Sequence, residues 1–278
     1  MKIFVINMDS RSDRLNFITQ QMDGLGLSFE RIRGVPGAQL CHDELCVFDK
    51  ERFIVQFKKP ITQGEMGCAV SHRSIWQKMI DEDIDHALIL EDDIRIDRKL
   101  VEFLSQPRHY QCFDFLNLSS NEPYRLDQSA LSTLKAMQLT ERPPFWQSRS
   151  VWRQIEWRRS WRIYRLHFFD KFICCECNFA PALGSGYILS QKAAKSLLKT
   201  SETMYYPIDL TWRYSSDLLR QAFLAEPIIL QCLNDTDIAG RNHPYQMSIW
   251  QKVKRTCIRS RYIGRRLATM KLYGLSKL

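Results

Sequence analysis

The chain has 278 residues, of which 45% are hydrophobic and 26% charged, and it carries a formal net charge of +9. That balance excludes a disordered chain, a collagen-like fibre and a small disulfide scaffold, and the length suffices for one large α/β domain or two modest ones. No run of about 18 apolar residues occurs, which excludes an integral membrane helix, and the opening MKIFVINMDSRSDR lacks the apolar core and cleavage site of a signal peptide.

In chain order, Ile3 to Ile6 reads as a buried first strand ending at polar Asn7. Ser12 or Asp13 is placed to cap a helix running to about Met22 and closed by Gly24 and Gly26. Phe29 to Val35 reads as a second strand. Residues 36–61 show no clear period and read as loops with a short strand at Phe53 to Phe57. From Met66 to Ile80 apolar residues recur at helical spacing. His86 to Leu90 is a short buried strand that runs directly into Glu91-Asp92-Asp93. Phe113 to Leu118, Leu183 to Leu189 and Pro227 to Gln231 read as further strands, with a helix over Gln191 to Leu198. Strands alternating with helices predict an α/β fold with a mainly parallel sheet.

Charge is unevenly spread. Segment 142–171 holds eight Lys/Arg against two acids, a net of +6, and 251–278 holds nine with no acid, a net of +9; the rest of the chain therefore sums to −6. The segment at about 142–178 reads as a basic insertion on a domain spanning 1–250, and 251–278 as a basic amphipathic helical tail. Arg interleaved with Trp152, Trp157, Trp161 and Tyr164, together with the tail's apolar stripe, suits an anionic membrane surface. No nucleic-acid-binding motif is present, so nucleic acid is not an expected partner. The nine cysteines, an odd number, read as free thiols in a reducing cytoplasm. Cys41, Cys46, Cys174 and Cys177 form the alternative, a four-thiolate zinc site.

Glu91, Asp92 and Asp93 are the sharpest feature. Three adjacent carboxylates repel one another, and they stand where an apolar strand leaves the sheet, the edge at which open α/β sheets bind ligands. A hard divalent cation, Mg²⁺ or Mn²⁺, offsets that repulsion and grips phosphate oxygens. The other reading of the triplet is a solvated acidic turn.

Four blocks, in order, make a pattern: IFVINMDSRSDR at the start, ITQGEMGCAVSHRSIW from Ile61, ALILEDDI from Ala87, and GSGYILSQKAAKSLL from Gly184 followed by YPID from Tyr206. With these blocks the chain resembles the bacterial lipopolysaccharide and lipooligosaccharide glycosyltransferases of family 25, over roughly residues 1–219. The resemblance implies a GT-A-like (Rossmann-like) fold. It also implies metal-dependent, inverting transfer of a hexose, galactose first and glucose second, from a UDP-sugar to a lipid-linked oligosaccharide. The enzyme would then work in the cytoplasm, on the inner face of the bacterial inner membrane. The rival is a non-catalytic sugar- or partner-binding relative.

Residue by residue, the resemblance puts the triplet in the place of a D-x-D motif. Asp93 would bind Mn²⁺ or Mg²⁺, Glu91 would face the ribose or a metal-bound water, and Asp92 has the least defined role. His243 would complete the metal shell. Asn7 and Asp9 would lie by the uridine, and Arg11 and Arg14 by the diphosphate. Ser71 and His72 would face the donor pocket, and Gly184, Ser185 and Gly186 would let a ligand approach closely. Inversion needs a base for the acceptor hydroxyl. Asp209 is the first candidate, with a helix N-cap as its structural alternative, and Glu65 is the second.

Overall fold

The computed structural model describes residues 1–137, 140–146, 150–156, 161–232, 248–250 and 262–277. Its centre is an eight-stranded sheet in the order β2-β1-β3-β8-β5-β9-β7-β6. The strands are β1 Lys2–Asn7, β2 Glu30–Arg33, β3 His86–Glu91, β5 Phe115–Asn117, β6 Ile163–Phe169, β7 Phe172–Cys177, β8 Gly186–Ser190 and β9 Gln221–Leu224. β1 runs parallel to β2 and β3, and β5 parallel to β9. β8 is antiparallel to both β3 and β5, and β7 to both β9 and β6. Six of the eight strands therefore run in one direction and only β8 and β7 oppose them, so the sheet is mixed but mainly parallel, as expected of a GT-A-like α/β fold. A separate ribbon pairs β4 Ile94–Ile96 with β10 Ile229–Gln231, antiparallel.

Helices cover both faces, and side-chain alternation along the strands fills two cores. In β3, Ala87 and Ile89 join one core while Leu88 and Leu90 join the other. The first core lies under α4 Gln63–Asp81 and α8 Gln191–Thr200, and the second under α1 Ser12–Gly24 and α5 Lys99–Ser105. Thr62 starts α4 with a capping box: its hydroxyl accepts from Glu65 N at 3.1 Å, and the Glu65 carboxylate accepts from Thr62 N at 2.9 Å. In α1 the N-cap position is Arg11, without a side-chain cap, so Ser12 and Asp13 are helical residues rather than caps.

The expected strand at 53–57 is instead α3 Lys50–Phe57, preceded by the short α2 His42–Cys46. Asp49 caps α3 through Arg52 N, and the Phe53 and Phe57 rings meet at 5.0 Å one turn apart. The apolar cluster Phe-Ile-Val has strand propensity, but the cap and the i, i+4 ring contact decide for helix.

The basic stretch near 142–178 is not set apart from the sheet, because it supplies the edge strand β6 and its neighbour β7. Trp152 and Tyr164 are buried in the interior rather than offered to a membrane, and Arg142 is buried against Glu156. Trp157 lies outside the described residues. The C-terminal α10 Ile263–Tyr273 docks on the body with Arg265, Ala268, Thr269 and Tyr273, while Ile263 and Leu267 of the expected apolar stripe are exposed. Arg265 Nε donates to Asn178 O at 2.7 Å, and Nη1 donates to Leu219 O at 2.8 Å. Tyr273 Oη donates to Glu176 at 2.7 Å. Burial alone would raise the Glu176 carboxyl, but hydrogen bonds from Arg220, His167 and Tyr273 hold it at about 2. α6 Gln128–Met137, α7 Ser150–Ile155 and α9 Thr211–Tyr214 complete the helices described.

Cys174 belongs to one core and Cys175 and Cys177 to the other, so Cys174 and Cys177 face opposite sides of β7. Cys41 and Cys46 are exposed. The four-thiolate zinc site is therefore not formed: two strand residues an odd number apart cannot turn their thiols to one ion.

Candidate functional site

Parallel pairing of β1 with β3 brings their carboxyl ends together, with Ile6 opposite Glu91. At that edge opens a cavity of about 450 Å³, within the range of small-molecule sites. Glu91, Asp92 and Asp93 form one side. Arg14, Ser71, His72, Glu65, Gly184 and Asp209 also reach it.

The acidic triplet is held before any ligand arrives. Asn7 Nδ2 donates to Asp92 Oδ2 at 2.7 Å, and Arg14 Nη1 lies 3.3 Å from Asp92 Oδ1 and 3.9 Å from Asp93 Oδ2. Burial raises the Asp92 carboxyl, opposed by the Asn7 hydrogen bond and the Arg14 charge. Burial, then repulsion from Glu91, pushes Asp93 up to about 6 against the pull of Arg14. Asp93 Oδ1 is buried without a hydrogen-bond partner among the described residues, while Oδ2 accepts weakly from Gln231 at 3.4 Å. An orphaned, crowded carboxylate oxygen of this kind is the donor a hard cation satisfies. Glu91 and Asp93 fit the group the sequence implies. His243 lies outside the described residues.

Other expected residues divide sharply. Ser71 lines the cavity and also builds its wall: its hydroxyl donates to Gly67 O at 2.8 Å and accepts from Val35 N at 2.9 Å. His72 Nδ1 is 2.9 Å from Tyr187 Oη, and Nε2 is 3.4 Å from Glu91 Oε1. Asp209 lies in a 3-10 turn at Ile208–Leu210 and lines the cavity; α9 has Leu210 at its N-cap position, so Asp209 is not the N-cap residue. Glu65 is present but committed, because one oxygen takes Thr62 N and the other takes Lys59 Nζ at 2.7 Å.

Several expected contacts are not made. The Asn7 side chain does not line the cavity. It gives its amide to Asp92 and to Arg11 O, and its oxygen accepts from Arg31 Nε at 3.0 Å. Asp9 is paired with Arg31 and Arg33 at the surface, outside the cavity. Arg11 pairs with Asp13 and lines a smaller hollow on the far side of Asp92 and Asp93. Ser185 and Gly186 lie behind the cavity wall. A Cβ on Gly186 would come within 2.6 Å of Ile229, so that glycine serves core packing rather than a ligand. Gly184 alone of the three reaches the cavity, and a Cβ there would stand 3.8 Å from both His72 Nε2 and Asp209 Cβ.

Sequence reasoning missed the loop wall of Met8 and Gly34 to Ala38, and also Cys68 and Gln231. Two glycines carried a signal for that wall. A Cβ on Gly67 would fall 2.2 Å from Val35 O, and one on Gly37 would fall 1.8 Å from Gln63 O, so the loop and α4 touch backbone to backbone. Cys68 follows Gly67 on α4, and burial together with the Glu91 charge raises its thiol well above the ordinary value.

A GT-A-like sheet thus carries an acidic triplet over this cavity. The family model for glycosyltransferase family 25 (LPS biosynthesis protein) matches residues 1–212, and the chain belongs to that family. It is 34% identical over 123 residues to a glycosyltransferase 25 family member of Aedes aegypti, covering 41% of this chain and 20% of that protein. It is 37% identical over 101 residues to one of Anopheles gambiae, covering 34% and 17%. Against procollagen galactosyltransferase 2 of Mus musculus it is 29% identical over 111 residues, covering 37% and 18%. The match thus spans about a fifth of the length of these curated relatives.

Proposed function

We propose that the chain is a metal-dependent, inverting hexosyltransferase that takes galactose, or secondarily glucose, from a UDP-sugar. The carrying observation is the crowded carboxylate group of Glu91 and Asp93, with one buried oxygen that has no partner among the described residues, lining the same cavity as Asp209. Family membership and the galactosyltransferase relative support the sugar.

When bound, Mn²⁺ or Mg²⁺ supplies Lewis-acid stabilisation of the charge that develops on the departing diphosphate. Glu91 and Asp93 would hold it. Asp92, fixed by Asn7, keeps Arg14 at the cavity edge, where its guanidinium adds positive charge beside the leaving group. Ser71 fixes the Val35 to Ala38 wall, which gives the nucleoside an apolar side. Asp209 removes the acceptor hydroxyl's proton as that oxygen attacks the anomeric carbon. Glu65 is the weaker candidate, since its oxygens already serve Thr62 and Lys59.

The acceptor of this proposal is a lipid-linked oligosaccharide of the lipopolysaccharide or lipooligosaccharide type, in line with the family's description. The enzyme would then be cytoplasmic, held peripherally on an anionic membrane. Exposed Ile249 and Trp250, beside the eight Lys/Arg of 251–278 other than buried Arg265, support attachment. Ile249→Ser/Trp250→Ser leaves the docked α10 intact and should weaken flotation with anionic vesicles; unchanged flotation would remove the membrane claim.

The deciding experiment is a UDP-release screen of several UDP-sugars with Mn²⁺, with and without EDTA. Metal-dependent release from UDP-galactose or UDP-glucose is expected. Donor binding with no turnover, whatever acceptor is offered, would instead mark a non-catalytic sugar-binding relative.

A further inference from the structure

Cys68 and His72 stand one turn apart on α4, so their side chains share a face, and that face meets the end of β3 at Glu91. Cys68 Sγ is 3.8 Å and His72 Nε2 is 3.4 Å from Glu91 Oε1, and the three donor atoms lie within 4.8 Å of one another. Tetrahedral zinc with bonds of about 2.3 Å to sulfur and about 2.0–2.2 Å to nitrogen and oxygen needs a nitrogen–oxygen edge of about 3.4 Å and edges to sulfur of about 3.6 Å. Two edges of that triangle are already in place. The third has to close by at most about 1.2 Å, the difference between 4.8 and 3.6 Å, which a small side-chain rotation supplies.

The surroundings also suit an ion. Trp76 Nε1 donates to Tyr187 Oη at 2.9 Å, which leaves that hydroxyl able to accept from His72 Nδ1–H and turn the Nε2 lone pair toward the cavity. Gly184 presents no side chain over Nε2, so a fourth position is open on the cavity side. Thiolate and imidazole donors select a softer cation than the all-oxygen set of Glu91 and Asp93.

We propose that Cys68, His72 and Glu91 form a second metal site, one that takes Zn²⁺ or a similar borderline-soft cation and draws Glu91 away from the acidic triplet. Binding releases the thiol proton and leaves three protein ligands and one open position. Because Glu91 is shared and the ion projects into the donor cavity, zinc occupancy and donor occupancy exclude one another. The site itself stands whether or not the chain transfers sugar.

The test uses the metal-free full chain and Co²⁺ as a spectroscopic stand-in, with no nucleotide present. The expected result is one equivalent of tetrahedral Co²⁺ with a sulfur-to-metal charge-transfer band. Cys68→Ser should abolish that band. Tyr187→Phe, which removes the hydroxyl that supports the imidazole and also the acceptor of Trp76 Nε1, should weaken binding about tenfold while the band persists. Cys46→Ser, which removes the surface Cys46–His42 pair 3.5 Å apart, should leave the band unchanged. A band that survives Cys68→Ser, or a spectrum from oxygen ligands only, overturns the proposal. X-ray absorption of the zinc-loaded wild-type chain guards against a folding artefact in the variants: one sulfur at about 2.3 Å supports the site, and a shell without sulfur refutes it.

Discussion

Replacing Asp93 by Asn separates stability from function at one atom position. In the folded chain Asp93 titrates at about 6, against an ordinary value of 3.8. The fold therefore binds this proton more tightly than the unfolded chain does, so the native state gains protons relative to the unfolded state between about pH 4 and 6. Stability falls as pH rises through that window, and above it the ionised carboxylate costs the metal-free fold up to about 3 kcal/mol. Asn keeps the shape and removes the charge. Metal-free Asp93→Asn should be more stable than wild type at pH 7.5 by about 1–3 kcal/mol, a rise in Tm of about 2–8 °C, and nearly equal to it at pH 4. The same variant should lose metal-dependent UDP release. Thermal unfolding of both chains in EDTA at the two pH values is the assay. A variant equally destabilised at both values would refute the reasoning, because it would mean that Asp93 contributes packing or hydrogen bonding rather than stored repulsion.

The same proton should compete with the cation, so apparent Mn²⁺ affinity in a calorimetric titration should fall steeply once pH drops below about 6 and be nearly flat above 7. Asp209→Asn should lower the rate of transfer to acceptor by at least about a hundredfold while leaving UDP affinity within about twofold, measured by steady-state kinetics and direct binding; a matched loss of both would mark a structural role. Gly67→Ala forces a Cβ against Val35 O and should cost several kcal/mol of stability in denaturant unfolding, with a parallel loss of UDP binding as the loop wall moves. Arg265→Leu leaves the Asn178 and Leu219 carbonyls buried without their donor and should destabilise by about 2–4 kcal/mol without changing UDP affinity.

The parts of this molecule legible in its sequence were those whose pattern is local. The apolar run at 87–90 and the acids after it identify a strand and the edge where it stops, and α4 carries both its period and its capping box in consecutive residues. What pairs with what is not local. Nothing near Asn7 announces that its amide will hold Asp92, 85 residues away. Gly186 looks like a ligand-facing glycine until Ile229 is packed on it. The strands at 163–177 looked like an insertion because their Arg and aromatic content reads as surface, yet Tyr164 and Arg142 find buried partners. At 263–273 the local pattern misleads for a related reason: Arg265, the residue that polarity would place outside, satisfies three backbone carbonyls inside. Cys68 escaped notice because a single thiol on a helix has no pattern of its own, and only the fold brings His72 and Glu91 to it.

The Asn7 amide bridge also bears on affinity. A mobile side chain gives up rotational freedom, about 0.5–1.5 kcal/mol, each time it captures a charged ligand. Here the neighbouring strand has already fixed Asp92, and Asp92 in turn holds Arg14. On the proposed reading a donor's diphosphate would therefore meet a guanidinium whose place was set during folding, and more of its attraction would be kept as grip.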